Sequence, residues 1–309
     1  MSTPHATRAA LWRGTLAVVL SACCFGSISP LTVIATDRGM ALESIQTWRY
    51  FTSALVLVGI GLWQRPPRAA ASLGPWYRPR TLLLAGSGQA LVATLALLAL
   101  RWLPAATASF LFYTYPAWVT IITAVRGLEP LDRTRLVALT LSLGGIAAMV
   151  GAPDAASLAP VGLAVILTAA LVYALYIPLL SSLQRGRHPL DVSRAIAVGG
   201  TALFAVWSLS TGTLFTIPDR VAFGASLLQG ILSAGSFLGF LAGLKVLGNV
   251  RTAITSTVEP FWTTLLGVLL LNQGIGSGTI LGGAAIMGAV LLLQRPVASP
   301  PAQSSNVVT

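Results

Sequence analysis

The sequence predicts an all-α membrane protein with ten transmembrane helices, arranged as two inverted repeats of five helices. Three observations lead to this prediction. Hydrophobic residues make up 55% of the 309 residues and charged residues only 9%, whereas a soluble domain carries about 25% charged residues. The chain contains ten apolar runs long enough to span a bilayer, and its two halves resemble each other.

Each membrane span requires roughly 20 apolar residues. The residues expected at the two ends, 1–10 and 296–309, are polar or rich in Pro and Ser and are predicted to be cytoplasmic tails. The runs between them are joined mostly by short loops that contain Gly, Pro or charge. They cover residues 13–36, 43–63, 80–100, 105–125, 134–152, 158–181, 191–211, 221–244, 251–271 and 277–294.

The basic residues predict the orientation in the membrane. The net charge is +11, but the arginines lie between apolar runs and do not gather on one face or tail, so no nucleic-acid partner is expected. With the N-terminus inside, most of the 19 Lys and Arg residues fall on the inner side, as the positive-inside rule requires. We therefore expect a multi-pass protein of the cell (inner) membrane with both termini in the cytoplasm.

An internal repeat relates the two halves. At an offset of 144 residues, proline, tryptophan and glycine positions coincide: Pro116 with Pro260, Trp118 with Trp262, and Gly144 with Gly288. We expect one unit over residues 11–152 and a second over 158–295. Because each unit holds five spans, an odd number, the second must be inverted relative to the first. Inverted repeats with a binding site near the midplane are typical of secondary transporters.

Several short motifs permit a comparison with a known family. They are Trp48-Arg49-Tyr50, the turn Arg101-Trp102-Leu103-Pro104, Pro116, Leu128-Glu129-Pro130 and Gly144-Gly145 in the first repeat, and Pro260 and Gly282-Gly283 in the second. With these motifs the chain resembles EamA-type members of the drug/metabolite transporter superfamily. One departure is that the acidic residue usual after the fourth helix of each repeat is Glu129 in the first and Gln273 in the second.

The resemblance implies a secondary active transporter that exports small metabolites, such as amino acids, or amphipathic toxic compounds by alternating access. It also implies a central cavity walled by spans 1–4 and 6–9, with one repeat rocking against the other around the helix breaks at Pro116 and Pro260. A non-transporting membrane partner, structural or sensory, is the alternative function. The sequence does not choose between a monomer and a homodimer.

Glu259 is the side chain of greatest interest, since it lies near the middle of the ninth apolar run. A charge in the bilayer core costs about 2.5–3.5 kcal/mol even on a lenient insertion scale. Glu259 could load and release a proton, or pair with a substrate ammonium. The structural alternative is a glutamate that locks two helices together by hydrogen bonds.

Further polar and aromatic residues near mid-span are candidates for contact with the substrate. They are Gln89 in the third run, Tyr113 and Tyr115 in the fourth, and Tyr173 and Tyr176 in the sixth. Aromatic faces with a hydroxyl group suit a mostly apolar cavity, although packing or a hydrogen bond between helices would explain each of them too. Trp48 and Arg49 could attract anionic groups, unless Arg49 snorkels to the membrane interface.

Some chemistry is not expected from this sequence. It contains no Gly-x-x-x-x-Gly-Lys-Ser/Thr motif, so we expect no ATP-driven motor. Its two histidines, His5 and His188, lie outside the apolar runs, and no set of His, Asp and Glu resembles a metal site or a membrane hydrolase. We therefore expect no enzyme, no cofactor and no metal. The expected partners are a small-molecule substrate, the lipid bilayer and, if transport is proton-coupled, protons.

Overall fold

The computed structural model describes residues 8–64, 75–103, 105–129, 131–150, 159–271 and 277–294, and these residues are mostly helical. Gln273, the linker 152–158 and the tail 296–309 lie outside them. The helices in these residues are α1 (Arg8–Gly26), α2 (Ile28–Asp37), α3 (Leu42–Gln64), α4 (Pro79–Ala99), α5 (Ala105–Phe112), α6 (Tyr115–Val125), α7 (Arg133–Val150), α8 (Pro160–Leu183), α9 (Pro189–Ser210), α10 (Arg220–Leu247), α11 (Asn249–Thr255), α12 (Val258–Leu271) and α13 (Ser277–Leu292).

Many of these helices are long and apolar enough to cross a membrane, which makes this an integral membrane protein. In the part of the chain that is described, seven such segments occur: Arg8–Asp37, Pro79–Ala99, Thr107–Val125, Pro160–Leu183, Pro189–Ser210, Arg220–Leu247 and Asn249–Leu270. Ile280–Leu292 is a shorter apolar helix. Helix α1 begins at Arg8, inside the segment expected to be a tail, because Arg, Ala and Leu are strong helix formers.

Three of the apolar runs are each broken into two helices. The breaks separate α1 from α2 at Ser27, α5 from α6 at Tyr113-Thr114, and α11 from α12 at Ser256-Thr257. In each case a proline follows within the first three residues of the second helix. Proline fits the first turn of a helix, where no intrahelical N–H bond is needed, but it prevents continuation from the preceding turn. The breaks before Pro116 and Pro260 were expected from the sequence, whereas the one before Pro30 was not.

The two halves pack with a symmetric set of contacts. In the two repeats, α1 corresponds to α8, α4 to α10 and α6 to α12. Helix α1 packs against α10, and the equivalent helix α8 packs against α4. Likewise, α12 packs against α1, and the equivalent helix α6 packs against α8. The equivalent helices α3 and α9 also contact each other, as do α7 and α13. In the α3–α9 pair, Tyr50 lies against Gly200, while Leu57, further along α3, accepts a hydrogen bond from Arg194, earlier on α9. Helices α3 and α9 are therefore antiparallel.

Glycines allow the closest helix crossings. A Cβ on Gly145 of α7 would lie 2.7 Å from the carbonyl oxygen of Gly282 of α13, and a Cβ on Gly86 of α4 would lie 2.5 Å from the Cα of Gly199 of α9. Both neighbours are backbone atoms, which cannot rotate away. Small residues of this kind let membrane helices pack backbone to backbone. The Gly278-x-x-x-Gly282 spacing on α13 thus serves packing against α7 within the chain.

Candidate functional site

The α11–α12 break carries Glu259 and meets the α1–α2 break at close range. A Cβ on Gly26 would lie 2.8 Å from the Glu259 carbonyl oxygen. The Trp262 indole N–H donates to the Ser27 hydroxyl at 2.9 Å, and the Thr263 hydroxyl lies 3.0 Å from the Gly26 carbonyl oxygen, to which it can donate. Backbone polar groups freed by a break inside a membrane must find partners within the protein or in a wet cavity. Here, part of that requirement is met by the two breaks packing against each other.

The α5–α6 break approaches the same glutamate from the other half of the protein. The Tyr113 hydroxyl lies within hydrogen-bonding reach of the Glu259 carboxyl. Glu259 is half-buried and forms no ion pair with another residue that the structure describes. It lies ten residues into α11–α12, hence about 15 Å along the axis at ~1.5 Å per residue. All three helix breaks therefore meet at Glu259, near the middle of the α11–α12 segment.

An aromatic cluster lies beside this carboxyl group, formed by Phe112, Tyr113, Tyr115, Tyr173 and Tyr176. The rings of Tyr115 and Tyr173 meet edge to face with centroids 4.7 Å apart, and Phe112 stacks on Tyr173 at 5.6 Å. Tyr113, Tyr115 and Tyr173 all interact electrostatically with Glu259. Three of the four tyrosines expected from the sequence to line a cavity thus lie close to the glutamate.

Some of the hydroxyl groups in this cluster are already engaged. The Tyr176 hydroxyl donates to the Ala85 carbonyl of α4, so this tyrosine ties α8 to α4. The Tyr115 hydroxyl lies 3.4 Å from the Ala253 carbonyl oxygen of α11, a long and weak contact. Tyr113 and Tyr115 are thus better placed than Tyr176 to exchange a hydrogen bond with a bound molecule.

The other predicted site residues lie apart from Glu259. Gln89 on α4 is half-buried, and its neighbour Gly88 packs against the Tyr176 ring. Gln89 makes no hydrogen bond with any other residue of the described ranges. Its proposed contact with substrate stays a prediction. The Trp48 indole N–H donates to the Leu214 carbonyl at 3.1 Å, and its ring meets Phe223 edge to face. These contacts assign Trp48 a packing role between α3 and α10.

Arg49 is buried inside the protein, only 6% exposed, which contradicts the alternative in which it snorkels to the interface. Its guanidinium carbon lies 4.7 Å from the centre of the Tyr50 ring. The Arg49 side chain forms no ion pair or hydrogen bond with any residue of the described ranges, and its Nε atom is buried without a partner. A buried charge carries a desolvation penalty of several kcal/mol, so some compensating group is expected near it.

Other polar side chains on α3 and α10 also have buried polar atoms without partners, as Arg49 does. The two helices meet where Gly230 packs against Thr52 and the Arg49 carbonyl. We use the name α3–α10 polar cluster for Gln46, Arg49, Ser53, Gln229 and Ser233, each of which has a buried polar atom without a partner among the described residues. Leaving such a group unsatisfied costs about 1–3 kcal/mol, so several together make this cluster a candidate binding site.

Sequence reasoning missed most of this cluster. Gln46, Arg49 and Ser53 recur at a spacing of three to four residues along α3, and Gln229 and Ser233 do so along α10. This spacing places them on one face of each helix. A search for polar residues at helical spacing within the apolar runs would have found both stripes, although not that they face each other.

A second set of charged groups joins the two halves at the ends of α6 and α11. A carboxylate oxygen of Glu129 accepts the backbone N–H of Asn249, and its other oxygen lies 3.3 Å from an Arg135 nitrogen. Asp132 also lies 3.4 Å from Arg135, and Arg251 interacts with this group electrostatically. We call these five residues the Glu129 latch, since they connect the α6–α7 loop to the start of α11.

A groove of about 350 Å³ lies elsewhere, between α12 and α13. Its lining, which includes Phe261, Ile280 and Met287, is apolar and contains none of the candidate site residues. The candidate polar sites, Glu259 and the α3–α10 polar cluster, therefore lie outside this groove.

Comparisons with known proteins agree with this arrangement. A protein of known crystal structure superposes with a TM-score of 0.73 at 20% sequence identity, covering 90% of this chain and 95% of its own. At that identity the likeness establishes the fold alone. No curated protein matches the chain significantly by sequence. The model of the EamA-like transporter family matches residues 12–151 and again residues 160–295. The chain therefore belongs to the EamA-like transporter family.

Proposed function

We propose that this protein is a secondary active transporter that exports small metabolites, such as amino acids, or amphipathic toxic compounds by alternating access. In this proposal ten helical spans form two inverted repeats, 11–152 and 158–295, in the cell membrane with both termini in the cytoplasm. The antiparallel packing of the equivalent helices α3 and α9 supports the inverted arrangement. The antiparallel α7–α13 pair supports it too, since Gly145 faces Ala285 and Gly278 faces Ala148.

The observation that carries the proposal is the meeting of three broken helices around Glu259 and its tyrosines. Discontinuous helices near the midplane form the substrate and ion sites of many secondary transporters. A substrate ammonium, or a proton, would occupy the Glu259 carboxyl, while Tyr113, Tyr115 and Tyr173 would supply aromatic walls and hydroxyl groups. The breaks before Pro116 and Pro260 would absorb the change in helix direction as the two repeats rock.

Counterflow in proteoliposomes tests this function. The purified protein would be reconstituted with a panel of amino acids, amines and organic cations inside, and uptake of the same labelled solute would be followed. Saturable exchange of at least one solute is expected, and Glu259→Gln should reduce it at least tenfold, since the amide cannot hold a proton or pair with an ammonium. Glu43→Gln, which removes the same charge at the start of α3, is the matched control and should retain exchange.

Two outcomes would contradict the proposal. If no solute of the panel exchanges, a non-transporting membrane partner becomes the better interpretation. If exchange is unaltered by Glu259→Gln, the protein transports but the carboxyl is not part of the mechanism. Size-exclusion profiles and melting temperatures of both variants establish that loss of exchange does not come from loss of the fold.

A further inference from the structure

The α3–α10 polar cluster holds a buried cation that lacks an opposite charge. Arg49 lies seven residues into α3, hence about 10 Å along the helix axis. Four acidic residues of the described ranges form ion pairs elsewhere: Asp219 with Arg38, Glu129 and Asp132 with Arg135, and Asp191 with Arg194. Of the others, Glu43 accepts a hydrogen bond from Thr213, and neither Glu43 nor Asp37 lies within 4.0 Å of Arg49 as an ion pair would require. Glu259 is engaged by Tyr113. Arg49 therefore has a positive charge for which the described part of the fold provides no counter-charge.

The other side chains of the α3–α10 polar cluster offer further hydrogen-bonding groups. The Nε2 atom of Gln229 and the hydroxyl groups of Ser53 and Ser233 can donate, and all three are buried without partners in the described ranges. Gln229 is fully buried, with its Oε1 atom 3.2 Å from the Thr32 hydroxyl. This contact orients the amide so that its NH₂ group is the free end. A planar guanidinium beside neutral donors matches a carboxylate, which accepts two parallel hydrogen bonds from arginine.

We propose that Arg49 and the donors of the α3–α10 polar cluster form a subsite for the carboxylate of the transported molecule. The inference rests on the proposed transport function and deepens it by naming the substrate class. A single positive charge favours a monovalent carboxylate over a doubly charged phosphate. The partnerless donors of Arg49 and Ser53 on α3, and of Gln229 and Ser233 on α10, would be satisfied when that carboxylate binds.

Aromatic residues lie between this subsite and Glu259. Tyr50, beneath the Arg49 guanidinium, packs on Phe237 at 5.9 Å and interacts electrostatically with Tyr173. Tyr173 in turn meets Tyr115, next to the glutamate. The substrate class is therefore a carboxylate-bearing molecule with an apolar or aromatic body, and a positively charged group on that molecule would point to Glu259.

Three probes of similar size separate the contributions of the two charges. Phenylalanine carries both groups, 2-phenylethylamine lacks the carboxylate, and 3-phenylpropionate lacks the ammonium. Competition by each probe against exchange of the solute identified by counterflow gives an apparent affinity. The wild-type protein should prefer phenylalanine to 2-phenylethylamine by about 10- to 100-fold, the usual contribution of a hydrogen bond to a charged group.

The Arg49→Gln variant should abolish that preference. It should weaken phenylalanine and 3-phenylpropionate at least ten times more than it weakens 2-phenylethylamine. Arg49→Lys, which keeps the charge but not the planar fork, should restore part of the preference. Glu259→Gln should instead act on the two probes that carry the ammonium group.

The subsite is refuted if wild-type protein that exchanges its solute binds 2-phenylethylamine as well as phenylalanine, a result that needs no variant. It is also refuted if Arg49→Gln weakens all three probes equally, which would mark Arg49 as a structural residue. In both cases solute exchange by the wild type still supports the transporter. Absence of exchange for every solute of the counterflow panel would overturn the transport function and this subsite together.

Discussion

The Glu129 latch permits a specific prediction about alternating access. Glu129→Gln keeps the oxygen that accepts the Asn249 N–H but removes the charge that faces Arg135. The latch joins the α6–α7 loop of the first half to the start of α11 in the second. If the two halves rock against each other, these contacts exist only while the protein is closed at the end that carries the α6–α7 loop and the start of α11. Weakening them should therefore increase the fraction of molecules that are open on this side.

The size of the effect follows from the geometry. The Glu129 and Arg135 side chains are only 13% and 10% exposed, so solvent screens their interaction little. Removing the charge from a charge-assisted hydrogen bond and weakening the ion pair costs about 1–2 kcal/mol. Asp132 remains 3.4 Å from Arg135 and limits the loss. A change of about 1.4 kcal/mol shifts a two-state equilibrium tenfold, which is the expected shift towards the open state.

Thiol labelling measures this shift directly. Thr252 is fully buried in α11, next to Arg251 of the latch. It would be replaced by cysteine after Cys23 and Cys24 are replaced by serine. A membrane-impermeant maleimide, added from the latch side, should react about ten times faster in Glu129→Gln. Asp219→Asn is the control, since it weakens the exposed Arg38–Asp219 pair. An unchanged labelling rate together with a lower melting temperature would show that the latch stabilises the fold without gating access.

Two further predictions concern stability, each with a matched control. Gly282→Ala should lower the free energy of unfolding by about 1–3 kcal/mol, because the new methyl group meets the α7 backbone and overpacking costs this much; Gly288→Ala, which meets nothing within 4 Å, should be neutral or slightly stabilising. An equal loss in both variants, measured by thermal unfolding in detergent, would contradict the close packing of α7 and α13. Asp191→Asn should destabilise by about 3 kcal/mol, since it removes the counter-charge that lies 3.3 Å from the buried Arg194 guanidinium and leaves that cation with only the Leu57 carbonyl as a hydrogen-bond acceptor among the described residues. The exposed Asp219 should tolerate the same substitution with a loss below about 1 kcal/mol, and comparable losses at both positions would refute the difference in burial.

Hydrophobicity and proline positions predicted much of the architecture. The two helix breaks before Pro116 and Pro260 were confirmed, because proline's missing N–H and fixed ring act locally, whatever the rest of the chain does. The break at Ser27 was not expected, although Pro30 lies in the same relation to it. In α8, Pro178 lies inside an unbroken helix. A proline thus indicates where a membrane helix can break, and the neighbouring helices determine whether it does.

The candidate site was predicted in part. Glu259 and four tyrosines were expected near a central cavity, and the structure brings three of these tyrosines, Tyr113, Tyr115 and Tyr173, together with Glu259. Trp48, predicted with them, packs against α10, and its contact with an anionic group stays a prediction. The burial of Arg49 could not be read from the chain, because the length of an arginine side chain lets it reach either the interface or the interior. Which of these occurs depends on the helices that pack around it.

The sequence by itself determined that the chain is a helical membrane protein with two related halves. These properties depend on local composition and periodicity, which each segment carries with it. Only the tertiary structure decided which polar groups face each other, namely Tyr113 with Glu259 and the stripe on α3 with the stripe on α10. The physical reason is that contacts with neighbouring helices set the rotation and tilt of an apolar helix. Lipid solvates all of its apolar faces equally and therefore favours no particular orientation.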